Sequence, residues 1–266
     1  MKNICWGRSV WGIDSANYGS YFAELKSKGY ESIEVGTPDT CEEARTLRAL
    51  AADSGLKVIA QIWTDGDTVE QHFESAKRQL DVAFELNPQL INSHTGKDYF
   101  PVNENAWLIE QMDNYVAGRA SLVHETHRGR ATYAAHVTNE LLEKVPSMRL
   151  CLDISHWCCV HESLLEDQAE AVQLAITRSD YVHTRVGTTQ TPQEDDWLDK
   201  SFEPDRQQFR EWWKTWIDHR ISQGEDLMMT LEWGPFPYAH KKSLADSEEY
   251  LARKNDEAKQ WLSENL

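Results

Sequence analysis

The sequence predicts an α/β protein built as a single (β/α)8 TIM barrel spanning residues 1–266. Three observations carry that prediction. Short apolar or β-branched runs alternate with amphipathic helical patterns from one end of the chain to the other. The alternation repeats eight times at roughly 33-residue spacing, and strand-then-helix order requires parallel strands joined by crossovers. No Pro/Gly/Ser-rich linker, low-complexity tract or shift in composition divides the chain. One barrel of about 250 residues therefore accounts for its whole length.

The expected strands are Ile4–Trp6, Ser32–Val35, Lys57–Trp63, Leu90–Ser93, Leu122–Glu125, Arg149–Ile154, Tyr181–Thr184 and Leu227–Glu232. Between them, Tyr18–Lys28 has a helical pattern. Asp39 is placed to cap a helix over Thr40–Ser54, with Gly55 just past its end. Over Asp67–Leu86 the residues Val69, Phe73, Ala76, Leu80, Ala83 and Phe84 form one stripe, with Asp67 as N-cap and Asn87-Pro88 as the stop. Further helices are expected over Glu104–Ala117, Ala131–Lys144, Glu162–Ile176, Asp205–Ile221 and Asp246–Leu262. The long connection is Thr188–Pro204, where five acids face Lys200 alone. It reads as a solvated acidic loop, or as a lid anchored by Trp197 and Phe202.

Composition excludes several classes. With 27 Lys+Arg against 44 Asp+Glu, the net charge of −17 opposes non-specific binding to nucleic acid or an anionic membrane. No stretch reaches the about 18 apolar residues of a membrane span, and MKNICWGRSVWG lacks the apolar run of a signal peptide. Five cysteines without a CxxC pair read as reduced thiols, and a cytoplasmic location is expected. These exclusions leave a small molecule as the partner expected.

In such a barrel, side chains at the C-terminal strand ends converge on one mouth. Those positions hold His94 in INSHTGKD, Glu125 in LVHETHRGR, Asp153 and His156 in LCLDISHW, His183 and Arg185 in DYVHTRVG, and Glu232 in MMTLEWGP. Each lies where an apolar run leaves the core. Three carboxylates and an imidazole (Glu125, Asp153, His183 and Glu232) would repel strongly at a low-dielectric mouth. A divalent cation resolves that repulsion. Oxygen-rich ligation with one nitrogen suits Mn, Mg, Co or Zn, and ligand identity alone does not choose among them. Strand alternation turns His124 away from the mouth, leaves His127 ambiguous, and places His72, His136, His161, His219 and His240 in helices or outer loops.

From GYESIEVG to LEWGP, and most specifically in HETHRGR, the LDISH pair, the VHTR pair and LEWG, the chain resembles the xylose-isomerase-like TIM-barrel superfamily of sugar isomerases and epimerases. That group includes ketose 3-epimerases, hydroxypyruvate isomerases, inosose dehydratases and the AP-endonuclease IV branch. The resemblance implies that Glu125, Asp153, His183 and Glu232 bind one divalent metal, with Glu125 and Glu232 also the acid/base pair. It implies that His94, His156 and Arg185 contact substrate oxygens and that Glu34, closing IEVG, is a polar substrate contact. Trp6, Trp63 and Trp233, at or beyond strand ends, are candidates to stack on a sugar. The chemistry implied is proton transfer α to a carbonyl of a small-molecule carbohydrate substrate through an enediolate, giving an isomerase or epimerase. A lyase or dehydratase on a keto-sugar or keto-acid would use the same site. A non-catalytic sugar-binding barrel would be expected to have lost a ligand, and none is lost.

The endonuclease branch needs a His on the third strand and an Asp-x-His after the seventh. Here those segments read AQIWTDG and VGTTQTPQEDD. Lys97, Arg128 and Arg130 stand where a phosphate or carboxylate could be held, but with 44 acids available the reading favoured is surface ion pairing. Homodimers are common in the family, and Trp212, Trp213 and Trp216 are a candidate interface. The shared face of Trp212 and Trp216 instead fits packing on the barrel.

Overall fold

A computed structural model describes residues 4–240 and 248–266. Eight parallel strands close in sequence order into a barrel. They are β1 (Ile4–Ser9), β2 (Ser32–Gly36), β3 (Lys57–Trp63), β4 (Leu90–His94), β5 (Leu122–Glu125), β6 (Leu150–Leu152), β7 (Ser179–Thr184) and β8 (Leu227–Leu231). Around them run α1 (Tyr18–Ser27), α2 (Cys41–Asp53), α3 (Val69–Glu85), α4 (Val102–Val116) and α5 (Ala135–Lys144). α6 (Ile154–His161), α7 (Ala169–Thr177), α8 (Glu203–Gln223) and α9 (Glu248–Asn265) complete the ring. Asp246, the expected start of the last helix, lies outside the described residues.

Period-two alternation sorts every strand. Ile33, Val58, Ala60, Ile62, Ile91, Val182, Met229 and Leu231 join the layer between sheet and helices. Ile59, Leu90, Val123, Cys151, Tyr181 and Met228 fill the barrel floor. Continuing the second set by two residues along each strand reaches Gln61, Asn92, Glu125, Asp153, His183 and Thr230, so the polar residues form the next layer up. The alternation also turns His124 outward, where it meets Thr95 Oγ1 at 2.7 Å and Asp113 Oδ1 at 3.2 Å.

Several boundaries differ from expectation, each for a local reason. Thr40, not Asp39, caps α2 through a reciprocal box: its Oγ1 accepts from Glu43 N at 3.2 Å while Glu43 Oε2 accepts from Thr40 N at 3.1 Å. Thr68 similarly replaces Asp67 as the cap of α3. β1 continues past Trp6 to Ser9, because Gly7, Arg8 and Ser9 pair with Ser32, Ile33 and Glu34 although they lack an apolar signature. The sixth unit contains an additional helix. Asp153 Oδ1 accepts from Ser155 N at 3.1 Å, which ends β6 at Leu152 and starts α6 at once. Glu162 and Leu165, at φ of 49° and 61°, then break the chain before α7.

The 188–204 connection is packed down. Trp197 is buried against Trp233 and Trp261, each at 5.3 Å between ring centroids, and Gln193 exchanges hydrogen bonds with the Gly234 backbone. Phe202 stands just before α8 and is only partly buried. Trp212, Trp213 and Trp216 are all buried within this one chain, Trp213 included although its spacing offsets it from the other two. No helix among the described residues is long and apolar enough to cross a membrane.

Gly7 shows how tightly the barrel interior is filled. A Cβ there would sit 2.1 Å from Thr230 Oγ1 and 2.8 Å from Ser32 Oγ. Gly7→Ala is therefore expected to lower unfolding stability by about 1–3 kcal/mol in a urea titration. Gly19→Ala, inside α1 with its nearest neighbour 3.9 Å away, should instead raise stability by about 0.5–1 kcal/mol.

Candidate active site

The strand ends open into a cavity of about 440 Å³ whose walls include Glu34, Gln61, His94, Glu125, Arg185 and Glu232. Trp11 and Trp63 flank it, exposed at 37% and 39%. Asp153 and His183 stand behind this wall, each 1% exposed.

His183 is the centre of the arrangement. Its Nε2 lies 2.7 Å from Glu34 Oε2, so the ring donates there and directs Nδ1 towards the other acids. Nδ1 is 3.0 Å from Glu232 Oε2 and 3.7 Å from Glu125 Oε1. Both His183 Nδ1 and Glu232 Oε2 are buried without a hydrogen-bond partner. Facing lone pairs in a dry site need a shared positive charge, either a proton or a cation. Burial opposes a charged imidazole, yet interaction with Cys151, Glu232, Glu34 and Glu125 raises the His183 pKa well above its usual value. The same field attracts a metal ion. Ligand atoms of Glu125, Asp153, His183 and Glu232 all lie within 4.8 Å of one another. Nitrogen and carboxylate donors at this spacing fit a divalent cation, and Glu34 stands where an outer carboxylate would fix a metal-binding imidazole.

Asp153 is the most committed of the four. Its Oδ1 caps α6 and its Oδ2 receives Arg185 Nη2, so one guanidinium already offsets part of the negative charge. Burial raises the Asp153 pKa despite Arg185. Burial acts in the same direction on Glu232, but His183 and Arg185 outweigh it and lower the pKa. Asn92 ties two acids together, donating from Nδ2 to Glu34 Oε1 at 2.9 Å and to Glu125 Oε2 at 2.6 Å.

Beside the acids runs a row of imidazoles. His94 and His127 have ring centroids 4.5 Å apart, and His127 and His156 3.9 Å apart. Burial pushes His94 and His127 down to about 3, with Arg130 adding to the effect on His94 and His94 to that on His127. Both are neutral rings at physiological pH. His127 Nδ1 is 2.6 Å from Arg128 O and its Nε2 is 3.2 Å from Tyr238 Oη.

The structure brings Glu34, His94, Glu125, Asp153, His183, Arg185 and Glu232 together, but corrects four placements. Trp6 is mid-strand, facing the helix layer and packed on the core, because β1 runs three residues further than expected. Trp233 is held under Trp197. His156 stands on α6, not at a strand end; it is fully buried, accepts from Arg185 Nη2 at 3.2 Å and is absent from the cavity wall. Arg130 faces the cavity, not the outer surface. Gln61 and Asn92, missed by sequence reading, share the inward parity of Trp63 and His94, which could have found them. Trp11 and Tyr238 come from loops whose course no local pattern specifies.

A family profile described as "Xylose isomerase-like TIM barrel" matches residues 22–206. The chain belongs to that family. No curated protein matches the sequence. Among solved structures, a xylose isomerase domain containing protein from Salmonella typhimurium is similar at a TM-score of 0.67 and 14% identity, covering 99% of this chain and 100% of that one. A 3-keto-D-glucoside 4-epimerase from E. coli gives 0.65 and 13%, covering 98% and 100%. A probable 3-DHS dehydratase from Bacillus anthracis gives 0.60 and 17%, covering 98% of each chain. At these identities the likeness extends to the fold.

If Glu34 fixes the His183 ring, Glu34→Gln should weaken Mn²⁺ binding by about 10–100-fold in a calorimetric titration while leaving the folded near-ultraviolet spectrum unchanged. Unaltered affinity would remove Glu34 from that role.

Proposed function

We propose that this xylose isomerase-like barrel is a divalent-metal-dependent isomerase or epimerase. It acts on a small sugar, keto-sugar or polyol by proton transfer α to a carbonyl through an enediolate. The observation that carries the reading is the pair of unpartnered buried atoms, His183 Nδ1 and Glu232 Oε2, 3.0 Å apart beside Glu125. Glu125, Asp153, His183 and Glu232 would hold one ion, of Mn, Mg, Co or Zn. A divalent ion there supplies the electrophile that polarises a substrate carbonyl. Glu125 and Glu232 both reach the cavity wall and are the acids placed to remove and return a proton. Asn92 holds Glu125 through Oε2 while Oε1 faces His183, so the carboxylate keeps one orientation. His94 Nε2, 3.0 Å from Glu125 Oε2, and Gln61 Nε2, 3.0 Å from that ring nitrogen, are placed to bind substrate hydroxyls.

One observation favours a second reading. His127 and the Tyr238 hydroxyl form a further proton-carrying pair on the same wall, and a group able to protonate a departing hydroxyl would make the enzyme a dehydratase on a keto-sugar or keto-acid. The structural neighbours named as an epimerase and a dehydratase are consistent with either outcome on one scaffold. The net charge and the segments AQIWTDG and VGTTQTPQEDD support a small-molecule substrate over nucleic acid.

Incubation with ketoses and keto-acids in D₂O should place deuterium on the carbon beside the carbonyl, and elemental analysis should find about one divalent ion per chain. Glu232→Gln should reduce the exchange by about 10²-fold or more with the fold intact. A protein that carries no ion and is indifferent to chelators in thermal unfolding would overturn the metal-dependent reading.

A further inference from the structure

The cavity has two arginines on its wall, and they differ in one respect. Arg185 is engaged by acids: Asp153 receives its Nη2, and Glu232 Oε2 lies 3.5 Å away. Arg130 has no carboxylate within 4.0 Å among the described residues. It donates through Nη1 alone, to Thr64 O at 3.0 Å and, more weakly, to Gly96 O at 3.5 Å. Those carbonyls belong to the turns that follow β3 and β4. Ala131 N donates to Thr95 O at 2.9 Å and pins the chain beside Arg130 to the same wall. The guanidinium is thus held by backbone, with its Nε and Nη2 uncommitted among the described residues.

Arg8, Arg48, Arg78, Arg128, Arg178 and Arg206 also lack a carboxylate within 4.0 Å among the described residues, but none of them lines this cavity. Burial pushes the Arg130 pKa down, although Glu125, Asp65 and Asp98 act from a distance to hold the charge. Arg130 is half-buried and its unbonded nitrogens are not sealed from solvent, so a ligand can replace water on them. Its planar donor fork suits a carboxylate or phosphate. The wall next to it carries Gln61, His94 and His127, whose amide and ring nitrogens suit hydroxyls. Glu34, Glu125 and Glu232 line the same cavity, which therefore presents a guanidinium as well as carboxylates.

We infer that Arg130 forms an anion subsite, and that the substrate is an acidic keto-sugar or polyhydroxy acid whose carboxylate or phosphate docks on Nε and Nη2. This assignment rests on the proposed reading of the cavity as the substrate site. The anion would fix the end of the molecule remote from the reacting carbon, and the hydroxyl-bearing chain would cross Gln61, His94 and His127 to reach Glu125 and Glu232.

The test is equilibrium binding to the full chain, which needs no turnover. Matched probes separate charge from shape: D-gluconate against D-glucitol for a carboxylate, and D-glucitol 6-phosphate against D-glucitol for a phosphate. The wild-type protein should bind at least one acidic probe about tenfold or more tightly than D-glucitol, and which one does so identifies the anion. Arg130→Gln, which keeps an amide donor for the Thr64 carbonyl, should abolish that preference, so that acidic and neutral probes bind alike. Arg130→Lys should restore it only in part, since a point charge replaces a fork. Equal binding of acidic and neutral probes by the wild-type protein overturns the inference, as does a preference that survives in both variants. If the preference depends on Arg130 but no deuterium exchange is found with any ketose or acid, the anion subsite stands and the isomerase reading fails. Exchange on neutral keto-sugars that neither substitution alters would leave the isomerase reading standing and overturn the anion subsite.

Discussion

Four carboxylates, Glu34, Glu125, Asp153 and Glu232, converge on one imidazole in a layer of the barrel that is almost closed to water. Removing one such group from water costs several kcal/mol, and the closeness of like charges adds to it. The rest of the site is arranged around that cost. Arg185 sits against Asp153 and reaches Glu232, Asn92 donates to both Glu34 and Glu125, and His183 donates to Glu34. At the contact between His183 Nδ1 and Glu232 Oε2, 3.0 Å apart, neither atom has a hydrogen-bond partner, and the two need a proton or a cation between them.

The barrel makes this convergence possible by stacking layers with different tasks. At the floor, Ile59, Leu90, Val123, Cys151, Tyr181 and Met228 are a packed apolar plug. The next inward position on each strand is polar, and Tyr181 joins the two layers, its hydroxyl 3.1 Å from Glu34 Oε2 and 2.5 Å from Thr230 Oγ1. A plug that excludes water from below strengthens every electrostatic interaction above it. Gly7 belongs to the same close packing, since a methyl group there would meet the Thr230 hydroxyl on which Tyr181 rests.

Much of this is legible in the sequence because alternation along a strand is a rule about direction. Once Val123 faces inward, so must Glu125, and His124 must face away; the same step leads from Tyr181 to His183 and from Leu90 through Asn92 to His94. What alternation does not convey is which partner an inward group chooses. Glu34 lines the cavity where a substrate contact is expected, and its carboxylate also engages His183 and Asn92, a choice set by the closing of β2, β4 and β7 around one axis. Trp6 departs from its expected place because Gly7, Arg8 and Ser9 continue a strand without any apolar signal. His156 departs from its own because a single hydrogen-bonding cap, Asp153, turns strand directly into helix. Trp11 and Tyr238 meet at 5.0 Å across the mouth from loops far apart in the chain, and no local pattern encodes such a meeting.

The mixed lining of the cavity follows from the same separation of tasks. The carboxylates come from strand ends, where geometry is rigid and charges can be held close. Arg130 lies on the connection after β5, fixed by carbonyls of two other connections. Loops can vary in sequence without disturbing a barrel's interior, so a group that selects among substrates is well placed there, and groups that move protons are better placed on strands. Within one barrel, the chemistry would then be set by Glu125, His183 and Glu232, and the choice of substrate by residues such as Arg130, Trp11 and Tyr238. On that division, changing the loop residues alters what enters the cavity, and changing the strand ends alters what happens to it.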